Sequence, residues 1–265
     1  MKIRRASHLR LALAGCGRLV ALACCMLAVI TQASAETLDS SIADTRMTLA
    51  FRVAKRAAQE WLPAPWKVSP LANGPFKGTD LLVVSIDRLL HQDAKRAPKA
   101  GGSYRMVVLV IPAKNLRTGE KATFVARVYT PHGGPGPYKN SLKATVRRQV
   151  TAGAANVGAG TGTDEWAVDD GEGGVLQFHV EYERAVPKRI KKETRFRSTI
   201  EPEFFRIYRY EQLIDIVKSA PKGIDRVRSY QFRATIPELE AMFDGTEQLL
   251  GIGVIPWYTR QTFLP

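Results

Sequence analysis

The sequence predicts an α+β protein that is mostly antiparallel β-sheet, with a few short helices and one longer helical segment near the N-terminus. Three observations carry this. Val175 to Arg184 alternates, with Leu176, Phe178, Val180 and Tyr182 set against Gln177, His179, Glu181 and Glu183, the period of a strand with one apolar and one polar face. Arg226 to Thr235 repeats it, with Tyr230, Phe232 and Ala234 opposite Gln231 and Arg233. Strands also recur without the regular helical crossovers that a parallel sheet requires, which favours antiparallel sheets of the kind that close into barrels.

The elements follow in chain order. Ser40 to Trp61 reads as a helix, because Ile42, Leu49, Val53 and Ala57 recur at helical spacing and Pro63 and Pro65 end the pattern. Leu81 to Ile86 and Tyr104 to Ile111 are short apolar runs of strand type, the second stopped by Pro112. Ala122 to Tyr129 follows a turn at Thr118-Gly119, and the Gly/Ala-rich stretch from Thr151 to Thr163 reads as a long hairpin loop. Short helices are expected at Tyr210 to Ser219 and at Pro237 to Phe243, the latter with proline in its first turn and Gly245 beyond its end. Leu249 to Trp257 makes a late strand.

The 265 residues, 45% hydrophobic and 24% charged, have the composition of a globular chain, which excludes disorder, collagen and coiled coil as the main architecture. Residues 1–35 read as an export signal: bases through Arg10 and Arg18, an apolar run from Leu19 to Ile30, and Ala33-Ser34-Ala35 as a cleavage site. Twelve apolar residues are short of the ~20 that a spanning helix needs. Leu13-Ala14-Gly15-Cys16 resembles a lipobox, but little apolar sequence separates it from Arg10, so a soluble periplasmic or secreted protein is expected ahead of a lipoprotein. Removing the signal takes away five bases and lowers the formal charge from +14 to +9. It also removes all three cysteines, excluding disulfides, thiolate nucleophiles and cysteine metal clusters from the remainder. The expected organisation is thus a signal at 1–35, a helical segment at 36–65 and a β domain at 66–265.

Several side-chain groupings have plain readings. Gly158, Gly160 and Gly162 lack the strand-to-helix transition and the lysine of a phosphate loop. The acids from Asp164 to Glu172 lack the alternation of a calcium loop and fit Asp-Gly turn chemistry. His91, His132 and His179 are too dispersed for a zinc motif, so neither metal nor other cofactor is expected. His179 shares a polar face with Glu181 and Glu183, which either meets solvent or lines a barrel cavity. Seven bases between Arg184 and Arg197 fit a solvated strand pair or weak contact with an anionic envelope; no nucleic-acid motif accompanies them. Lys139 and Lys143 stand out because an amine beside another cation loses its proton easily and can attack a carbonyl.

The order of segments resembles the acetoacetate decarboxylase superfamily. The matching pieces are Gly102-Ser103-Tyr104 leading into Val107 to Pro112, then Val125-Ala126-Arg127 and Tyr138 to Val146, a Gly-rich hairpin into Val175 to Tyr182, Glu201 to Ile207, and the end Phe263-Leu264-Pro265. The resemblance spans roughly Trp66 to Pro265. It implies a double-sheet, cone-like barrel with a partly apolar pocket for a small carboxylate or keto acid, and often a homo-oligomer. It also implies Schiff-base lyase chemistry of decarboxylase or aldolase type. On that reading Lys139 is the amine, Lys143 the cation beside it and Arg127 the carboxylate clamp, with Tyr104, Met106 and Arg206 contacting substrate. The chain departs from the family pattern at Met106, where a glutamate is usual, at Tyr138-Lys139-Asn140-Ser141, which lacks the lysine pair, and at Ala126-Arg127-Val128, which stands for Gly-Arg-Glu. A non-catalytic periplasmic ligand-binding or envelope-associated protein is the alternative.

Overall fold

The strand periods of the sequence assemble into two sheets in a computed structural model that describes residues 36–154, 158 and 160–265. The expected export signal lies outside the described residues. In chain order the elements begin with β1 (Thr37–Arg52), the single-turn helix α1 (Lys55–Glu60) and β2 (Trp66–Val68). Next come β3 (Leu81–Asp93), β4 (Tyr104–Asn115), β5 (Lys121–Thr130) and β6 (Ser141–Lys143). They continue with β7 (Thr145–Gly153), β8 (Thr161–Asp169), β9 (Val175–Glu183) and β10 (Lys188–Ser198). The last are β11 (Phe205–Ser219), β12 (Ile224–Asp225), β13 (Val227–Ala234) and β14 (Gln248–Leu264).

The smaller sheet has the order β13-β9-β8-β7 and the larger runs β2-β4-β3-β1-β14-β11-β10-β5-β6. Because β4 also pairs with β5, the larger sheet closes into a ring, β4-β3-β1-β14-β11-β10-β5. The closing seam is the short parallel contact of β10 with β5, from Phe196 opposite Thr123 to Ser198 opposite Val125.

The two faces of the ring do different work. Met47, Leu49, Phe51, Val83, Leu109 and Ile111 turn outward and meet Trp166, Leu176, Phe178 and Val180 of the smaller sheet, forming the main apolar core. The inward face holds two smaller apolar clusters, around Val108, Val110 and Tyr208 and around Ile214, Ile255 and Tyr258, and leaves a cavity. Strands buried on both faces read as unbroken apolar runs, as from Val107 to Ala113.

Arg148 on β7 ties the sheets together through charge. Its Nε and Nη2 donate to the two carboxylate oxygens of Asp164 at 2.9 and 2.7 Å, while Nη1 donates to Asp87 on β3 at 3.3 Å and to Thr45 on β1. Burial pushes the Asp164 carboxyl above its ordinary range although Arg148 works in the other direction.

Five expectations are corrected here. Ser40 to Trp61 is not a helix: β1 covers Thr37–Arg52, and only Lys55–Glu60 turns helical. The inward positions of β1 include Ser40, Asp44 and Arg46, so its period of two is carried by polar side chains that a hydrophobicity pattern misses. Tyr210 to Ser219 is part of β11, where register shifts at Leu213/Asp215 and Ile216/Lys218 break the alternation and leave apolar spacing that imitates a helix. Pro237 to Phe243 contributes only a 3₁₀ turn over Pro237–Leu239. Pro112 does not stop β4, which runs on to Asn115. The Thr151 to Thr163 stretch lies at the hairpin between β7 and β8, but its ends are strand rather than loop, with Thr151 paired to Thr163 and Gly153 to Thr161. The acids before β9 make turn bonds, with Asp169 and Asp170 accepting backbone N–H groups of Gly171 and Gly174, each at 2.9 Å.

Gly251 and Gly253 leave room for the ring of Phe76, which lines the cavity. A Cβ on Gly251 would come within 2.5 Å of the Phe76 ring and 3.1 Å of the Lys218 carbonyl oxygen, so the Phe76 ring lies directly on this backbone. Gly251→Ala is expected to cost about 1–3 kcal/mol in denaturant unfolding, since the backbone contact cannot yield as a flexible side chain would. A change below about 0.5 kcal/mol would show that Phe76 moves freely.

Candidate active site

The inward faces of β1, β3, β11 and β14 each send an arginine into one cavity of about 440 Å³: Arg46, Arg88, Arg206 and Arg260. Period-two geometry places them, since Arg206, Tyr208, Tyr210, Gln212 and Ile214 follow one another along one face of β11 and all line the cavity. Its walls are otherwise apolar, with Leu82, Val84, Ile86, Val108, Val110 and Val125 among them.

Asp44 neutralises part of this charge. Its side chain is fully buried, accepts from Arg46 Nε at 3.1 Å and from Arg88 Nε at 3.0 Å, and is held below the ordinary carboxylate range because those cations outweigh the burial that opposes ionisation. Asp39 likewise accepts from Arg206 at 2.8 Å. Arg260 differs: its guanidinium makes no hydrogen bond or ion pair among the described residues. It lies over the Tyr208 ring at 3.8 Å, and its charged form is reinforced by Tyr208, Tyr258 and Asp44 despite burial. Arg88 Nη2 and Arg206 Nε are also buried without a partner. Four cations against two carboxylates leave this end of the cavity positive, with donor capacity unspent.

The phenols form two relays. Tyr104 Oη accepts from Arg88 Nη1 at 2.7 Å and lies 3.2 Å from His91 Nδ1. Tyr138 and Tyr208, both buried, bond hydroxyl to hydroxyl. Burial lowers the His91 pKa to about 4, helped by Arg88, Lys99 and Arg260 and opposed by Asp39. Between its ordinary 6.5 and that value the unfolded chain binds a proton that the folded protein refuses. Stability is therefore expected to fall as pH drops from 6.5 to about 4, and His91→Gln to flatten that slope in thermal melts. An unchanged slope in the variant would remove His91 as its source. Asp39 and Asp44, held low, add their own loss only below about 3.8.

Of the six expected site residues, Tyr104, Met106 and Arg206 line the cavity. The other three expected site residues do not. Lys139 sits at positive φ in the exposed turn before β6, and Lys143 at the end of β6 is exposed; neither lines the cavity. Arg127 turns to the opposite face of β5, where Nε donates to Glu238 Oε1 at 2.9 Å, Tyr129 Oη donates to the same oxygen at 2.6 Å, and Trp61 covers the guanidinium. It falls outside because β5 shifts register between Val110 and Leu109 of β4, so Val125 and Val128 rather than Arg127 point inward. His179 lies on the outer face of the smaller sheet between Glu165 and Glu181. The bases of β10 lie along its pairing with β11, where Arg189 meets Glu211 and Arg209 meets Glu193. Arg46, Asp44, Arg88, Tyr208 and Arg260 escaped the sequence reading. Polar residues spaced by two, as in Asp44 and Arg46 or Arg206 and Tyr208, were the signal that could have found them.

A closed ring of strands backed by a second sheet, with a partly apolar cavity inside the ring, is a fold this chain shares with the enduracididine biosynthesis enzyme MppR. No family model matches the chain and no curated protein does. Among solved structures, the enduracididine biosynthesis enzyme MppR complexed with pyruvate superposes with a TM-score of 0.53 at 10% identity, covering 88% of this chain and 91% of that one. The same enzyme with HEPES buffer bound gives 0.53 at 10% identity over 86% of each chain. An acetoacetate decarboxylase-like enzyme from Sphingomonas wittichii RW1 gives 0.49 at 13% identity, over 85% of this chain and 90% of that one. At such identities the likeness is one of fold.

Proposed function

We propose that the protein binds a small carboxylate or keto acid with an apolar body inside the ring, its carboxylate taken by Arg260 together with the free donors of Arg88 and Arg206. The observation that carries this is the Arg260 guanidinium, which faces an apolar-walled cavity and makes no hydrogen bond or ion pair among the described residues, Asp44 acting on it only at a distance. A charge in such a place demands a counter-ion, and a carboxylate matches the guanidinium fork. The pyruvate complex of the MppR neighbour supports the ligand class. No lysine lines the cavity among the described residues, so the amine chemistry expected of Lys139 or Lys143 has no group there, and binding without a Schiff base is the favoured reading.

Thermal melts with hexanoate, 2-oxohexanoate and hexanamide test it. The two acids are expected to raise the melting temperature in a concentration-dependent way that survives moderate salt, and the amide is not. Equal shifts from acid and amide, or none from either acid, would sink the reading. Export to the periplasm is proposed on the pattern of residues 1–35 alone. It predicts a mature N-terminus at Glu36 in the periplasmic fraction, and an intact Met1 terminus in the cytoplasm would refute it.

A further inference from the structure

Deepening that reading, and resting on it, we propose that Tyr208 is the proton-transferring residue of the cavity, positioned by Tyr138, and that the protein enolises a 2-keto acid. Placement carries the inference. The Tyr208 ring packs against Phe196, centroids 4.9 Å apart, and against Arg260, whose guanidinium carbon stands 3.8 Å from the ring centroid. Its hydroxyl meets that of Tyr138, and both residues are buried yet line the cavity. No lysine, cysteine or carboxylate lines the cavity among the described residues, which leaves tyrosines and histidines to move protons. His91 is a weak base with its pKa near 4, and its Nδ1 is engaged by Tyr104.

The charged and titratable groups facing Tyr208 are Arg206 on β11, Arg260 on β14, Arg88 on β3 and Tyr138 from the turn before β6. Burial opposes ionisation of Tyr208, but Arg260 and Arg206 outweigh it and draw this phenol below its ordinary range. Burial and the neighbouring Tyr208 hold Tyr138 well above that range, so Tyr138 stays the donor of the pair.

The step balances without a co-reactant. The Tyr208 phenolate takes a proton from the carbon beside the ketone: the C–H bond breaks, the phenol O–H bond forms, and the C–H electron pair becomes the enolate double bond. The carbonyl pair moves onto oxygen, where a guanidinium offsets the charge. Return of the proton from Tyr208 restores the keto acid.

The probe is 2-oxohexanoate in D₂O, with loss of its C3 proton signal followed by NMR and binding checked by thermal melt in the same buffer. The wild-type protein is expected to accelerate exchange at least about 10²-fold over Tyr208→Phe while both bind the acid. Tyr138→Phe is expected to keep exchange but move its rise with pH upward, because the phenolate loses a stabilising donor. An ultraviolet titration should show one tyrosine ionising ahead of the others, absent in Tyr208→Phe. Binding without faster exchange in the wild type overturns the proposal and leaves the binding reading standing. Wild-type exchange in Tyr208→Phe, or loss of exchange in His132→Gln instead, also overturns it. Failure of the acid to bind removes both.

Discussion

Arg260→Met is expected to weaken binding of 2-oxohexanoate by at least about 30-fold, because removing one partner of a buried, hydrogen-bonded charge pair costs about 2–5 kcal/mol. The methionine keeps the bulk over the Tyr208 ring, so the loss reports the missing charge and fork rather than a collapsed wall. Arg127→Met is the contrast. That guanidinium is committed to Glu238 on the other face of β5, and its loss should leave the affinity within about twofold while lowering stability. Isothermal titration on the two variants decides between the cavity built from the strands and the clamp expected from the sequence. Equal affinities for Arg260→Met and wild type would move the anion site elsewhere.

Arg148→Leu is expected to destabilise the fold by about 3–5 kcal/mol, the cost of leaving a buried carboxylate without its partner. Asp164 has no exposed side-chain surface and receives two bonds from Arg148, whereas Asp87 is also held by Arg105. The double variant Arg148→Leu/Asp164→Leu should recover most of the loss, since replacing a whole buried pair by apolar groups is often near neutral. Urea unfolding of both measures it. A single variant within 0.5 kcal/mol of wild type would show that water replaces Arg148 and that the sheets are held by the apolar core alone.

The two arginines mark where the sequence could be read and where it could not. β9 and β13 were legible because one face is apolar and the other meets solvent, so hydrophobicity alternates with the side chains. β1 and β11 were not, because their inward face is polar: Ser40, Asp44 and Arg46 on one strand, Arg206, Tyr208 and Gln212 on the other. The features that make the cavity hid the strands that build it. The resemblance supplied the barrel, since it fixed the order of segments, and of the residues it named Tyr104, Met106 and Arg206 line the cavity. It misplaced Lys139, Lys143 and Arg127, because a turn at positive φ and one register shift decide which side chains reach the interior. Neither leaves a mark on composition. The arginine cluster draws on four strands distant in sequence, and only their pairing in the order β3-β1-β14-β11 brings them together.

A crystal structure of the protein grown with 2-oxohexanoate would decide whether the ring holds an acid on its arginines. The carboxylate is expected within about 2.7–3.2 Å of the Arg260 guanidinium, its alkyl tail along Val108 and Val110 and its ketone toward Tyr208. A ligand joined to Lys139 or Lys143, or an empty cavity at saturating acid, would mean that the arginines serve the fold and that the ligand binds elsewhere or not at all.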